Sequence, residues 1–104
     1  MTEPGRPVIW SPDALADLDA IWNYYVRVAG PNTADKVGRE IGKVVRVLED
    51  HPFAGRSRDE VRPGLRSVAA SPHVVFYRIK DDVAEIVRVL DGRQDIEAIL
   101  TEPG

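Results

Sequence analysis

Apolar positions recur along the first half of the chain at helical spacing. Leu15, Leu18, Trp22, Tyr25 and Ala29 follow one another at intervals of 3, 4, 3 and 4, and Ile21 widens the stripe. Ser11-Pro12-Asp13 precedes it. Ser is a good N-cap, Pro suits the first helical position, and Asp complements the positive helix end. A helix is therefore predicted from about residue 12 to Ala29, broken by Gly30-Pro31-Asn32. Ala34, Val37, Ile41, Val44 or Val45, and Leu48 form a second stripe, predicting a helix from about residue 32 to Asp50, ended by His51-Pro52. Gly38 and Gly42 lie four apart within it, each costing about 1 kcal/mol relative to Ala. Small residues at that spacing allow another helix to approach closely. Two stripes joined by three or four residues predict an antiparallel helical hairpin.

The pattern then changes to strands. Residues 52–64 read as a loop rich in Pro, Gly and Arg, followed by strands over Leu65–Ala70, His73–Lys80 and Val83–Leu90. Ser71-Pro72 and Asp81-Asp82 are the turns between them. Either face of the last strand is nearly all apolar, which suggests a central strand covered by the helices. Pro7-Val8-Ile9-Trp10 reads as an edge strand, and Asp95–Leu100 as a short helical turn capped by Asp95. The expected fold is α+β, in the order β-α-α-β-β-β plus the helical turn, with the hairpin packed on one face of a small antiparallel sheet. At 104 residues this is a single domain, 1–104, with flexible ends expected at 1–6 and 101–104.

Composition narrows the function classes. Apolar residues are 43% and charged residues 30%, ordinary globular usage. No apolar window is long enough for a membrane span, and the N-terminus carries no signal-peptide pattern. Cysteine is absent, which excludes disulfides and thiolate chemistry and fits a cytoplasmic location. Net charge is −3, but unevenly spread: residues 1–35 carry −3, 36–80 carry +5 and 81–104 carry −5. An acidic chain is a poor non-specific nucleic-acid binder, and no sequence-specific binding is expected.

Little in the sequence points to catalysis. His51 and His73 share no metal-ligand spacing, so no metal site is expected. There is no nucleophile elbow and no phosphate-binding glycine loop, so no cofactor is expected either. What stands out is basic. Lys36, Arg39, Lys43 and Arg46 run along the outer face of the second helix. Arg56, Arg58, Arg62 and Arg66 lie within eleven residues, and Arg78, Arg88 and Arg93 follow. If the three strands are neighbours, Arg66, Arg78 and Arg88 could share a face. Such a cluster could stabilise a transferring phosphate, receive a partner's acidic side chains, or pair with Glu60, Glu85, Asp91 and Asp95 to hold the fold.

Five segments in order resemble one family: Ser11-Pro12-x-Ala14-x-x-Asp17-Leu18-x-x-Ile21-Trp22-x-Tyr24, Leu48-x-x-His51-Pro52-x-x-Gly55-Arg56, Arg62-Pro63-Gly64-Leu65-Arg66-Ser67, Val75-Phe76-Tyr77-Arg78 and Ile86-Val87-Arg88-Val89-Leu90-x-Gly92-Arg93-x-Asp95-Ile96. Over about residues 8–100 the chain is similar to toxins of the ParE branch of the RelE/ParE superfamily. The resemblance implies a helical hairpin on a small antiparallel sheet and a cytoplasmic hetero-complex with a ParD-like antitoxin. It also implies inhibition of DNA gyrase by binding rather than by enzymatic action, with no cofactor. The RelE branch implies an alternative, a ribosome-dependent mRNA endonuclease, for which Arg66 and Arg78 would be catalytic; a non-toxic antitoxin-binding module is a third reading. RelE-type tails offer a Tyr or His near the end of the last strand, where this chain has Leu90-Asp91-Gly92, and ParE-like sequences often carry His at Asp91. The partner-binding candidates are therefore Lys36, Arg39, Lys43, Arg46, Arg58, Arg62, Arg66, Arg78, Arg88 and Arg93.

Overall fold

The structure, a computed structural model, describes residues 7–101. Its elements are β1 (Ile9–Trp10), α1 (Pro12–Ala29), α2 (Pro31–Asp50), β2 (Arg56–Ser57), β3 (Arg66–Ala70), β4 (His73–Lys80), β5 (Val83–Asp91) and α3 (Ile96–Thr101). The expected flexible ends lie outside the described residues, except Thr101, which closes α3. Ser11 caps α1 by accepting from Ala14 N at 3.0 Å, and its hydroxyl donates to Val87 O at 2.9 Å. Gly30 alone separates the two long helices, not the three or four residues expected. Its φ of 92° is a conformation that a side chain disfavours, so one glycine turns the chain between α1 and α2.

The strands form one sheet in the order β1-β5-β4-β3-β2. β1 pairs parallel to β5, with Ile9 opposite Glu85, and the remaining pairs are antiparallel. The expected β-α-α-β-β-β order holds, with two refinements. β4, not β5, is the middle strand, and the long loop contributes a short edge strand, β2. Asp81 and Asp82 both adopt positive φ, giving the tight turn whose twist suits a two-residue hairpin.

Two cores flank the sheet. Ile41, Val45 and Leu48 of α2 and Ala14 of α1 pack on Val75, Tyr77, Ala84, Ile86 and Val89. On the opposite face, Phe76 and Leu90 pack with Leu65 of the loop and Leu100 of α3. The second core explains why both phases of β5 are apolar. A bulge helps as well: Phe76 faces Arg88 while Tyr77 faces Ile86, so Val87 is an extra residue and the face presented by β5 switches there. In α2 the predicted stripe is buried as expected, with Val45 rather than Val44 fully inside. In α1 the phase differs. Ala14 is buried and Leu18, Ile21 and Tyr25 are partly buried, whereas Leu15, Trp22 and Ala29 are exposed. The small Ala14, 0% exposed, is the residue of α1 that is fully buried against the sheet.

Candidate functional site: a basic-rimmed groove and a dispersed set of arginines

The outer side of the helical hairpin carries a groove. Gly38 and Gly42 face open space, since a Cβ at either would meet no atom within 4 Å. Trp22, 45% exposed, stands beside them, and its indole N–H is 3.5 Å from the Asp35 carboxylate. Two concavities of about 300 and 560 Å³ share Trp22, Ala34, Gly38 and Gly42; the first reaches inward to Leu18, Ile21 and Ile41, and the second is rimmed by Arg39, Lys43 and Arg46. The floor is thus apolar and the rim mainly cationic, with Asp35 and Asp19 also at the edge. Lys43 holds one ion pair, with Glu40 at 3.1 Å, on an open surface where such a pair is worth little. Lys36 is exposed on the same helix but does not line the groove.

The strand and loop arginines disperse. Arg66 lies opposite Tyr77, and Arg78 is the next residue along β4, so the two fall on opposite faces of the sheet. Arg66 donates to the backbone oxygens of Phe53 and Gly55 at 3.1 and 2.6 Å, and its guanidinium lies 5.3 Å from the Phe53 ring centroid. Arg78 pairs with Glu85 across the hairpin. Arg88 reaches Asp17 of α1 through two bonds of 2.8 and 2.9 Å, which raises the guanidinium pKa further. Asp17 also accepts from Val89 N at 2.9 Å. The shared face expected for all three of Arg66, Arg78 and Arg88 does not form: Arg66 pairs with Tyr77 on one face, while Arg78 and Arg88, the latter registered with Phe76 by the bulge at Val87, are taken by separate carboxylates, Glu85 and Asp17.

The remaining candidates serve the second core and the turn after β5. Arg58 bonds Glu60 at 2.8 Å and lies over the buried Phe76 ring. Arg62 donates to Leu100 O at 2.8 Å, tying the loop to α3. Arg93 grips Asp91 through two side-chain bonds, which lowers the Asp91 pKa well below the usual carboxylate range. Asp95 accepts from Ala98 N at 3.1 Å, the expected cap. Among the described residues no group of three or more His, Asp or Glu is placed to hold a metal ion, and no helix is long and apolar enough to cross a membrane.

Sequence reasoning missed Asp17 and Trp22 as surface determinants. Trp22 fits the apolar period of α1 equally well as a core residue, so periodicity alone misassigns it. Asp17, four residues after Asp13, looks like part of a solvated acidic face until the end of β5 is placed beside it.

A family model described as ParE toxin of type II toxin-antitoxin system, parDE, matches residues 8–96. Toxin ParE1 of Caulobacter vibrioides is 37% identical over 95 residues, spanning 91% of this chain and 98% of that protein. Toxin ParE1 of Mycobacterium tuberculosis is 35% identical over 88 residues, spanning 84% of this chain and 90% of that protein. Among solved structures, a chain from the chromosomal ParDE system of Pseudomonas aeruginosa superposes with a TM-score of 0.73 at 31% identity, covering 83% of this chain and 95% of that one. A family match over nearly the whole length, joined to the same helical hairpin on the same sheet, leads to one conclusion: the chain belongs to the ParE toxin family of type II toxin–antitoxin systems.

Proposed function

We propose that this toxin is held in a cytoplasmic hetero-complex by a ParD-like antitoxin seated in the α1–α2 groove, and that, once released, it acts on DNA gyrase by binding. The observation that carries the docking half is the groove itself: an apolar floor of Trp22, Gly38 and Gly42 beneath a rim of Arg39, Lys43 and Arg46. That arrangement suits an amphipathic helix with small or apolar anchors and an acidic flank. The similar Pseudomonas aeruginosa chain comes from a chromosomal ParDE system, which supports a partner of that kind here. Support for a binding mode of action comes from the arginines. Arg66, Arg78 and Arg88 are occupied in three separate structural pairings, whereas phosphoryl chemistry needs charges converging on one point.

The test is purified gyrase. The full-length toxin should block supercoiling and accumulate cleaved DNA, and added antitoxin should reverse both. Unchanged supercoiling and cleavage at large excess of toxin would overturn the gyrase reading. Pulse labelling after induction separates the targets: thymidine incorporation should fall before methionine incorporation. The opposite order would place the ribosome first and favour the endonuclease reading.

A further inference from the structure

A second concavity lies away from the α1–α2 groove. It is a crevice of about 410 Å³ between the C-terminal half of α1 and the far end of β5 with the turn that follows. Three rings line it in succession. Tyr24 meets Tyr25 edge-on with centroids 5.1 Å apart, and Tyr25 meets His73 edge-on at 6.0 Å. His73 opens β4 and is only 4% exposed, and its Nδ1 is buried without a hydrogen-bond partner. A buried polar nitrogen in that state is costly and uncommon in folded proteins. Burial lowers the imidazole pKa, so near neutral pH the ring is uncharged and offers one donor and one acceptor.

The charges around the crevice are arranged in pairs. Arg88 is taken by Asp17 in the wall. Arg93 is held by Asp91 at the rim, with its side chain 86% exposed. Arg27 places its guanidinium 6.0 Å from the Tyr24 ring centroid. The interior is therefore aromatic and electrically balanced, and the largely exposed Arg93 guanidinium, held on one side by Asp91, stands at the mouth. A bare anion would find few uncommitted cations inside.

We propose that this crevice binds the planar base of a nucleotide, stacked against Tyr24 and hydrogen-bonded by His73, with the phosphate at Arg93. Each part follows from a general preference. Aromatic side chains take base faces with little regard to base identity, an imidazole meets a base edge, and an exposed guanidinium meets a phosphate. Such a pocket reads no sequence and is compatible with an acidic chain, because one base supplies contact area that counterion release would otherwise have to replace. A free nucleotide and an unpaired base of a single-stranded nucleic acid present the same chemistry.

The experiment uses the full chain, with dAMP and single-stranded oligo(dT) as probes and inorganic phosphate as the control. Affinity is read by calorimetry, and occupancy by the ¹⁵N resonances of the His73 imidazole. Both nucleotide probes should bind saturably and move the His73 resonances, and phosphate alone should not move them. Tyr24→Ala, at a half-exposed ring, should weaken binding about tenfold, the scale of losing one base–aromatic stack. Arg93→Ala should weaken dAMP more than deoxyadenosine. His73→Phe should abolish the hydrogen-bonded component; if that variant fails to fold, Tyr24→Ala and the resonances carry the test. Oligo(dT) binding tighter than dAMP with the same Tyr24 dependence identifies a single strand as the source, and the reverse order identifies a free nucleotide. The proposal is overturned if no nucleotide saturates the chain at millimolar concentration, if binding ignores Tyr24→Ala, or if phosphate alone competes as well as dAMP.

Discussion

Asp17 is where the helix layer is fastened to the edge of β5. β1 covers only Glu85 and Ile86, so beyond Trp10 that edge needs other partners. Ser11 takes the carbonyl of Val87, and Asp17 takes the N–H of Val89 together with the Arg88 guanidinium. The Asp17 side chain is 13% exposed, so its bonds are shielded from water and removing the charge leaves Arg88 partly buried without its counterion. Asp17→Asn should cost about 2 kcal/mol, read as a lower urea midpoint at unchanged slope. Adding Arg88→Met should cost less than the two single changes together, since the second removes the charge the first stranded. Ser11 was legible as a cap because capping is local. Asp17 was not, because its partners lie more than 70 residues away and no local pattern marks them.

At the level of the elements, α2 and the strands β3, β4 and β5 were legible to within about a residue at their ends, and β2 was the least legible. The apolar period of α2 is uninterrupted, and burial follows it. β2 is two residues long and exposed, so it presents no alternation to read. β5 reads as apolar on both faces because α3 and the loop build a second core behind it, and because the bulge at Val87 changes its phase midway. Gly38 and Gly42 show how an element can sacrifice stability for surface. Both sit in a helix interior with nothing near a Cβ. Gly38→Ala should therefore stabilise the free toxin by about 1 kcal/mol through helix propensity alone. Gly42→Leu should fill the groove floor and weaken antitoxin capture by about tenfold or more, a loss of at least ~1.4 kcal/mol, while thermal unfolding of the free chain shows no loss of stability. If capture stays intact, the antitoxin sits elsewhere.

Over the whole molecule, acid sensitivity should trace to one imidazole first. His73 has its pKa pushed down by burial from an ordinary 6.5, with Asp91 opposing and Arg93 adding to the shift. The native state thus binds its proton less readily than the unfolded chain. That stability is fully present above about pH 6.5 and is lost as the pH falls below it, at no more than about 1.4 kcal/mol per pH unit. Urea midpoints between pH 7.5 and pH 5, about the range in which His titrates, should decline in the wild type and flatten in His73→Gln. The carboxylates lowered by their partners, Asp91 and Asp59, add their loss only in more acidic solution. The architecture as a whole was legible, because hairpin, meander and family motifs all point to one fold. How the arginines divide was not, since sheet register and the bulge decide it. The parallel pairing of β1 with β5 has a kinetic consequence. The first strand to leave the ribosome has no neighbour until the last strand follows, and Ser11 waits 76 residues for Val87. Closing so long a stretch of chain is slow compared with forming a hairpin. During synthesis the two helices are therefore complete while their sheet still lacks its last strand.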